Sequence, residues 1–298
     1  MENGSPTRPG SSRYQGVVLS QLTTIKLGGP AENLIRPLGT GELVRTLRGL
    51  DGRKQNYRIL GGGSNLLVDD RGVKGVVVRP EYDPEDLVIE GDRVEAPAGM
   101  ALSRLVKAAG AAGLAGLEFA AGIPGTVGGA AVMNAGWGGE EIAGVIRKVW
   151  VHRTACGMVE LEPGDCRFGY RVSRFQDSGE VVLRVDLELS PGDRKEIAGK
   201  TREVLRRRKE SLPLDYPSAG SVFKNPPGDY AGRLIEAAGL KGKRIGDARI
   251  SEKHANVIVN LGAARFREVK ELIEIVRGRI QEDFGMRLEL EIIIWESM

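Results

Sequence analysis

The chain reads as an α+β protein, and three observations predict that class. A β-α-β-loop-β unit fills residues 31–78. Strand-like segments at 145–152, 158–161 and 181–189 then succeed one another with no helix between them. Near the C-terminus an amphipathic helix leads into one last strand. A meander of strands set between helices indicates α+β rather than a doubly wound sheet.

Residues 1–15 are polar, with Pro and Gly, and are expected to form a disordered arm. Ala31–Arg36 reads as a short strand. Thr40 opens a helix with Leu43, Val44, Leu47 and Leu50 on one face. Tyr57–Leu60 and Gly75–Val78 are strands, with Gly61-Gly62-Gly63-Ser64-Asn65 following the first. Leu87–Glu90 and Arg93–Ala96 flank Gly91-Asp92 as a hairpin. Leu102, Leu105, Val106 and Ala109 mark another helix. Asp193 starts a densely charged helix reaching about Lys209 and ending in Arg206-Arg207-Arg208-Lys209. Pro213, Pro217, Pro226 and Pro227 then argue for a loop with short strands. Phe266, Val269, Ile273, Val276, Ile280 and Phe284 recur at helical spacing, and Gly285 supplies a stop. Arg287–Trp295 is expected to close the chain as one strand.

Composition excludes several classes. The 298 residues include 42 glycines, about twice the usual share of roughly 7%, yet these have no G-X-Y period. The 43 basic and 40 acidic residues are interspersed and leave a net charge of +3, so nucleic-acid binding is not expected. Cys156 and Cys166 cannot make a disulfide framework and are expected to be reduced thiols of a cytoplasmic protein. The N-terminal residues carry no apolar signal-peptide core. The long uncharged stretch at 108–139 is broken by Pro124 and ten glycines, so no membrane span is expected.

Neither G-x-G-x-x-G nor G-x-x-x-x-G-K-[ST] occurs, which removes the main support for a Rossmann or P-loop site. Gly61–Asn65 is open to two readings: a turn between strands, or a loop whose N–H groups converge on an anion. The second cluster, Gly122–Gly136, has small uncharged side chains throughout. It could be a tight packing contact, or it could press backbone against a planar or phosphorylated ligand.

Six motifs in order carry a resemblance: TTIKLGGPA at 23–31, LGGGSNL at 60–66, AGIPGTVGGAAVMNAG at 121–136, GYRVS at 169–173, PSAGSVFKNP at 217–226 and KHANVIVN at 253–260. Together they resemble the UDP-N-acetylenolpyruvoylglucosamine reductase family, flavin-dependent reductases of peptidoglycan precursor synthesis, over residues 16–296. The resemblance implies a two-subdomain FAD-binding domain of the vanillyl-alcohol-oxidase type, here 16–84 and 85–192. A C-terminal α+β substrate domain, 193–298, would follow, its last strand able to return to the N-terminal domain. It implies non-covalent FAD, held by Gly61, Gly62, Gly63, Ser64, Asn65, Gly122, Ile123, Pro124, Gly125, Thr126, Gly128, Gly129 and Asn134. It implies NADPH as co-substrate and a UDP-linked enolpyruvyl amino sugar as substrate. Arg171, Ser221 (the proton donor) and Glu291 would be catalytic, with Glu289 as the alternative to Glu291. Tyr170, Lys209 and Asn225 would bind substrate, leaving Arg206–Arg208 as a solvated helix end. No metal site and no nucleic-acid or membrane partner is implied, and a monomer is expected.

The chain departs from the family pattern in places. Asn134-Ala135-Gly136-Trp137-Gly138-Gly139 is a residue shorter than the family's run and carries Trp137, and Leu212 replaces a common glutamine. Only 38 positions separate Arg171 from Lys209, which matches the family's shorter form, without a substrate-capping insertion. A sugar or lactone oxidase of the same superfamily would share the glycine loops but not GSVFKNP or the C-terminal glutamates. A nucleic-acid-binding protein is disfavoured by the few aromatics.

Overall fold

The computed structural model describes residues 12–297. Its first sheet has the strand order Ser12–Val18, Pro30–Arg36, Val73–Val78, Tyr57–Ile59. The first pair is antiparallel and the other two are parallel. Helix α1 (Gly39–Gly52) buries Leu43, Leu47 and Leu50. They pack on Ile35, Val76 and Val78 of this sheet and on Val181 and Leu183 of the next, so α1 joins the two layers.

The second sheet is antiparallel throughout, in the order Gly157–Leu161, Ile146–Arg153, Val181–Glu188, Arg93–Pro97, Val88–Glu90. Helix α2 (Leu102–Ala112) buries Leu102, Leu105 and Ala109 and ends at Gly113 in the left-handed conformation. Helix α3 (Val127–Met133) lies inside the second glycine cluster, capped at its start by Thr126, whose Oγ1 accepts from the Gly129 N–H at 3.3 Å.

Helix α4 (Arg194–Ser211) leads to a third, antiparallel sheet in the order Ser218–Ser221, Val257–Asn260, Ala248–Ile250, Arg244–Ile245. Helices α5 (Ala231–Ala237) and α6 (Phe266–Phe284) pack on it. The helical period read from Phe266 to Phe284 is the buried face of α6, and Gly285 ends it at φ +65°. Burying each such side chain is worth roughly 1.5–3 kcal/mol.

The third layer does not close its core alone. Ile25, Leu27 and Leu67 from the N-terminal part complete it. The TTIKLGG segment is the tie. The Thr24 N–H donates to Gly63 O at 3.0 Å and the Thr24 hydroxyl to Ser218 O at 2.7 Å. One residue thus holds the first glycine loop against the strand that ends in Ser221. A second tie is the strand Ile293–Trp295, which pairs in parallel with Leu66–Val68, Ile293 facing Leu66.

Two expectations need correction. Ser12–Gln15 are not part of a disordered arm but pair with Asn33–Arg36, where the strand Ser12–Val18 forms an edge of the first sheet; residues 1–11 lie outside the described residues. The closing strand is Ile293–Trp295 only. Before it Leu290 makes an isolated bridge to Phe223, and both Glu291 and Ile292 N–H groups turn to Val222 O, so strict alternation breaks there. Glu289 and Glu291 therefore do not share a face.

Both cysteines are unpaired, Cys156 exposed and Cys166 buried. No helix among the described residues is long and apolar enough to cross a membrane.

The end of the chain is anchored at Asp69. Its N–H donates to Trp295 O at 2.9 Å, and its carboxylate accepts from Arg71 N and Nη2 at 2.9 and 2.7 Å. Arg71 holds the carboxyl down from 3.8 to about 2. This contribution to stability is complete above the unfolded-state value and is lost as pH falls through the folded one. The Asp69→Asn chain is expected to unfold at lower urea than wild type at pH 7, the gap narrowing from about pH 5 to about pH 3. A gap that does not depend on pH would contradict the assignment.

Candidate active site

The two glycine clusters meet backbone to backbone. A Cβ placed on Gly62 would stand 2.5 Å from Gly125 Cα. One placed on Gly63, at φ +63°, would collide with the Leu22 carbonyl oxygen. Ser64 Oγ donates to Pro124 O at 3.0 Å and completes the contact. Only residues without side chains allow this approach. It leaves N–H groups and small side chains facing one cavity of about 900 Å³. Gly61–Asn65 and Ile123–Thr126 line it together with Gly128 and Gly129, whereas Gly122 lies behind, against α4. Such a cradle, backbone donors in a largely apolar hollow, fits a flat aromatic group carrying a pyrophosphate. The Gly62→Ala chain is expected to part the loops, with a lower melting temperature and flavin content well below wild type after purification. Full flavin occupancy would contradict this.

Arg171, Ser221 and Glu291 line the same cavity. Arg171 adopts φ +55°, a strained value for a side-chain-bearing residue. Its guanidinium is held from three sides: Nε donates to Glu291 Oε1 at 3.0 Å, Nη1 to Asn134 O at 3.3 Å and Nη2 to Gly136 O at 2.8 Å. Glu141 adds an ion pair at 3.5 Å. A guanidinium has five N–H bonds, so one on Nη2 remains. Burial pushes the Glu291 carboxyl up, against the pull of Arg171 and Lys224, and burial wins. Asn65 Nδ2 donates to the main-chain Glu291 O at 2.9 Å, which ties the first glycine loop to the backbone that carries this carboxylate. Glu289, the alternative, is mostly exposed and faces Lys224. Ser221 ends its strand opposite Val257.

Besides Gly122, four expected site residues lie outside this lining. Asn134 is 1% exposed and spends its side chain on Glu141, Gly169 O and the Ala143 N–H. It fixes the loop that carries Arg171's acceptors and does not line the cavity. Tyr170 and Asn225 meet each other outside the lining, the Asn225 N–H donating to the Tyr170 hydroxyl at 3.4 Å. Tyr170 also stacks under Arg171, 5.1 Å from ring to guanidinium. Lys209 is exposed, and only its carbonyl is engaged, by Lys253.

The basic run divides differently from expectation. Arg206 and Arg207 pair with Glu203 and Glu210 on the solvent side, but Arg208 is buried and lines the cavity. The signal was helical phase: Ile197, Thr201, Val204 and Arg208 follow at 4, 3 and 4 and share the inward face of α4. Trp137 and His254 also line the cavity.

Comparison with known proteins agrees with this geometry. The family model "UDP-N-acetylenolpyruvoylglucosamine reductase, C-terminal domain" matches residues 212–295, and the model "FAD binding domain" matches 31–155. The UDP-N-acetylenolpyruvoylglucosamine reductase 2 of Symbiobacterium thermophilum is 47% identical over 277 residues, 93% of this chain and 90% of that one. The corresponding reductase of Caldanaerobacter subterraneus is 44% identical over 281 residues, 94% and 93% of the two chains. The crystal structure of the Thermus caldophilus reductase superposes with a TM-score of 0.80 at 41% identity, covering 96% of this chain and 98% of that one. The chain therefore belongs to the UDP-N-acetylenolpyruvoylglucosamine reductase family, and it is an FAD-dependent oxidoreductase of peptidoglycan precursor synthesis.

Proposed function

We propose that this chain reduces the enolpyruvyl group of UDP-N-acetylglucosamine enolpyruvate to give UDP-N-acetylmuramate, drawing electrons from NADPH. One observation carries the reading: Arg171, Ser221 and Glu291 line the same cavity as both glycine loops. FAD, when bound, supplies the hydride chemistry.

The protein's own residues supply the rest. Hydride addition at the β-carbon of the enolpyruvyl group leaves negative charge at the α-carbon and its carboxylate. The Arg171 guanidinium, which keeps an N–H on Nη2 beyond its bond to Gly136 O, donates to that carboxylate, and Glu291 holds the guanidinium in place. Burial pushes the Glu291 carboxyl up, and the guanidinium it holds pulls the other way. Ser221 Oγ delivers a proton to the α-carbon and is reprotonated from water. A serine is a weak acid, and it suffices because the carbanion is a strong base.

The test is an anaerobic titration. NADPH should bleach the flavin of the purified holoprotein, and UDP-N-acetylglucosamine enolpyruvate should restore it in the ratio 1:1. Bleaching with no recovery, or recovery with an unrelated sugar or lactone pair, would contradict the proposal.

A further inference from the structure

Besides His254, two carboxylates and two guanidiniums line the cavity: Glu180, Glu291, Arg171 and Arg208. Three are paired. Arg171 and Glu291 hold each other, and Glu180 accepts from Arg153 and Arg174. Arg208 is 8% exposed, and no carboxylate or carbonyl among the described residues accepts from its guanidinium. The guanidinium instead stands over the ring of Trp137, 5.9 Å away. Burial alone pulls its proton affinity down. A guanidinium set there with no protein acceptor is left for something in the cavity to compensate.

Its position narrows what that is. On one side it lies flat on the second glycine cluster: a Cβ on Gly122 would stand 3.2 Å from Arg208 Nε. On the other, Trp137 directly follows Gly136, whose carbonyl takes Arg171 Nη2. Arg208 thus lies where α4 meets the second glycine cluster and Trp137, in the lining of the cavity that both glycine loops and the Arg171–Glu291 pair share. The Gly62–Gly125 contact, where backbone N–H groups would serve a pyrophosphate, is made by other residues of the two loops.

We infer that Arg208 is the counter-charge for the reduced flavin ring, and so sets how readily the cofactor accepts a hydride. An isoalloxazine that has taken a hydride from NADPH carries one more negative charge than the oxidised ring, spread over its pyrimidine edge. A fixed cation beside that edge favours the reduced form. The inference rests on FAD binding and on NADPH as reductant, as proposed above.

The test uses the purified holoprotein and the Arg208→Met, Arg208→Gln and Arg208→Lys variants. Sulfite is the probe, since it adds to the oxidised ring and leaves a negative charge on the same edge. Arg208→Met and Arg208→Gln should weaken sulfite binding at least about tenfold. The equilibrium constant for two-electron reduction should fall by a similar factor, about 30 mV per tenfold. Arg208→Lys should recover part of both. The melting temperature of flavin-free Arg208→Met should not fall, because an unpaired buried charge has been removed. Unchanged sulfite affinity and potential with a raised KM for the UDP-sugar would give Arg208 to the substrate and overturn the inference. Unchanged potential with weakened, salt-dependent FAD binding would give it to the pyrophosphate and overturn the inference equally. A wild-type chain that binds FAD but is not reduced by NADPH would fail the reductant reading instead, and is read before any substitution.

Discussion

Ser221→Ala is expected to slow reoxidation of the flavin by the enolpyruvyl sugar by on the order of 10²–10⁴, the usual contribution of a positioned proton donor. Reduction by NADPH should stay within about a factor of two. The asymmetry follows from the fold. Ser221 ends a strand of the third sheet, pinned by Val257 opposite and, through Ser218, by Thr24. Alanine keeps that strand and removes only the hydroxyl, so the cradle built by the two glycine loops is untouched. Separate stopped-flow measurement of each half-reaction checks it. If both halves stay fast, Ser221 is not the donor.

Arg171→Met is expected to do more, because it affects both chemistry and folding. The substrate carboxylate loses its clamp, a loss of roughly 10²–10³ in kcat. Glu291, Asn134 O and Gly136 O lose their shared partner, and breaking a buried pair costs about 3–5 kcal/mol. The pH dependence has a definite sign. The Glu291 carboxyl already sits above its ordinary value, and removing Arg171 takes away the main influence that lowers it. The folded wild type then ionises at Glu291 before the folded variant does, so the deficit relative to wild type grows as pH rises through the wild-type value, which lies above the ordinary one. Urea unfolding of both proteins at about pH 5 and about pH 8 measures this. A deficit that shrinks toward high pH would show that Glu291 is not coupled to Arg171.

Much of this architecture was legible because it rests on local rules. The α6 period, the Gly285 stop and the hairpin at 88–97 each follow from spacing and turn chemistry, and the structure places them within a residue or two. The glycine loops were legible as backbone devices. Their contact with each other was not, since nothing local joins Gly62 to Gly125. Less legible were the residues whose placement depends on direction. Lys209 and Arg208 are neighbours in a basic run, and only the phase of α4 sends one outward and the other into the cavity. Asn134 sits in a site motif but serves the loop's own carbonyl and N–H groups. The closing segment had the alternation of a strand, yet Glu291 and Ile292 both turn to the single carbonyl of Val222. That break separates Glu291 from Glu289 and puts only the first beside Arg171.

The central claim is that one cavity sets the flavin and the Arg171–Ser221–Glu291 group on either side of the same double bond. A crystal structure of the Ser221→Ala protein with FAD and the UDP-linked enolpyruvyl sugar tests it most directly. The substrate carboxylate is expected on Arg171 and the β-carbon about 3–3.5 Å from the flavin's reacting nitrogen. Cβ of residue 221 is expected to face the α-carbon from the opposite side. A substrate whose carboxylate lies away from Arg171, or whose flavin-facing side is also the side of residue 221, would contradict it.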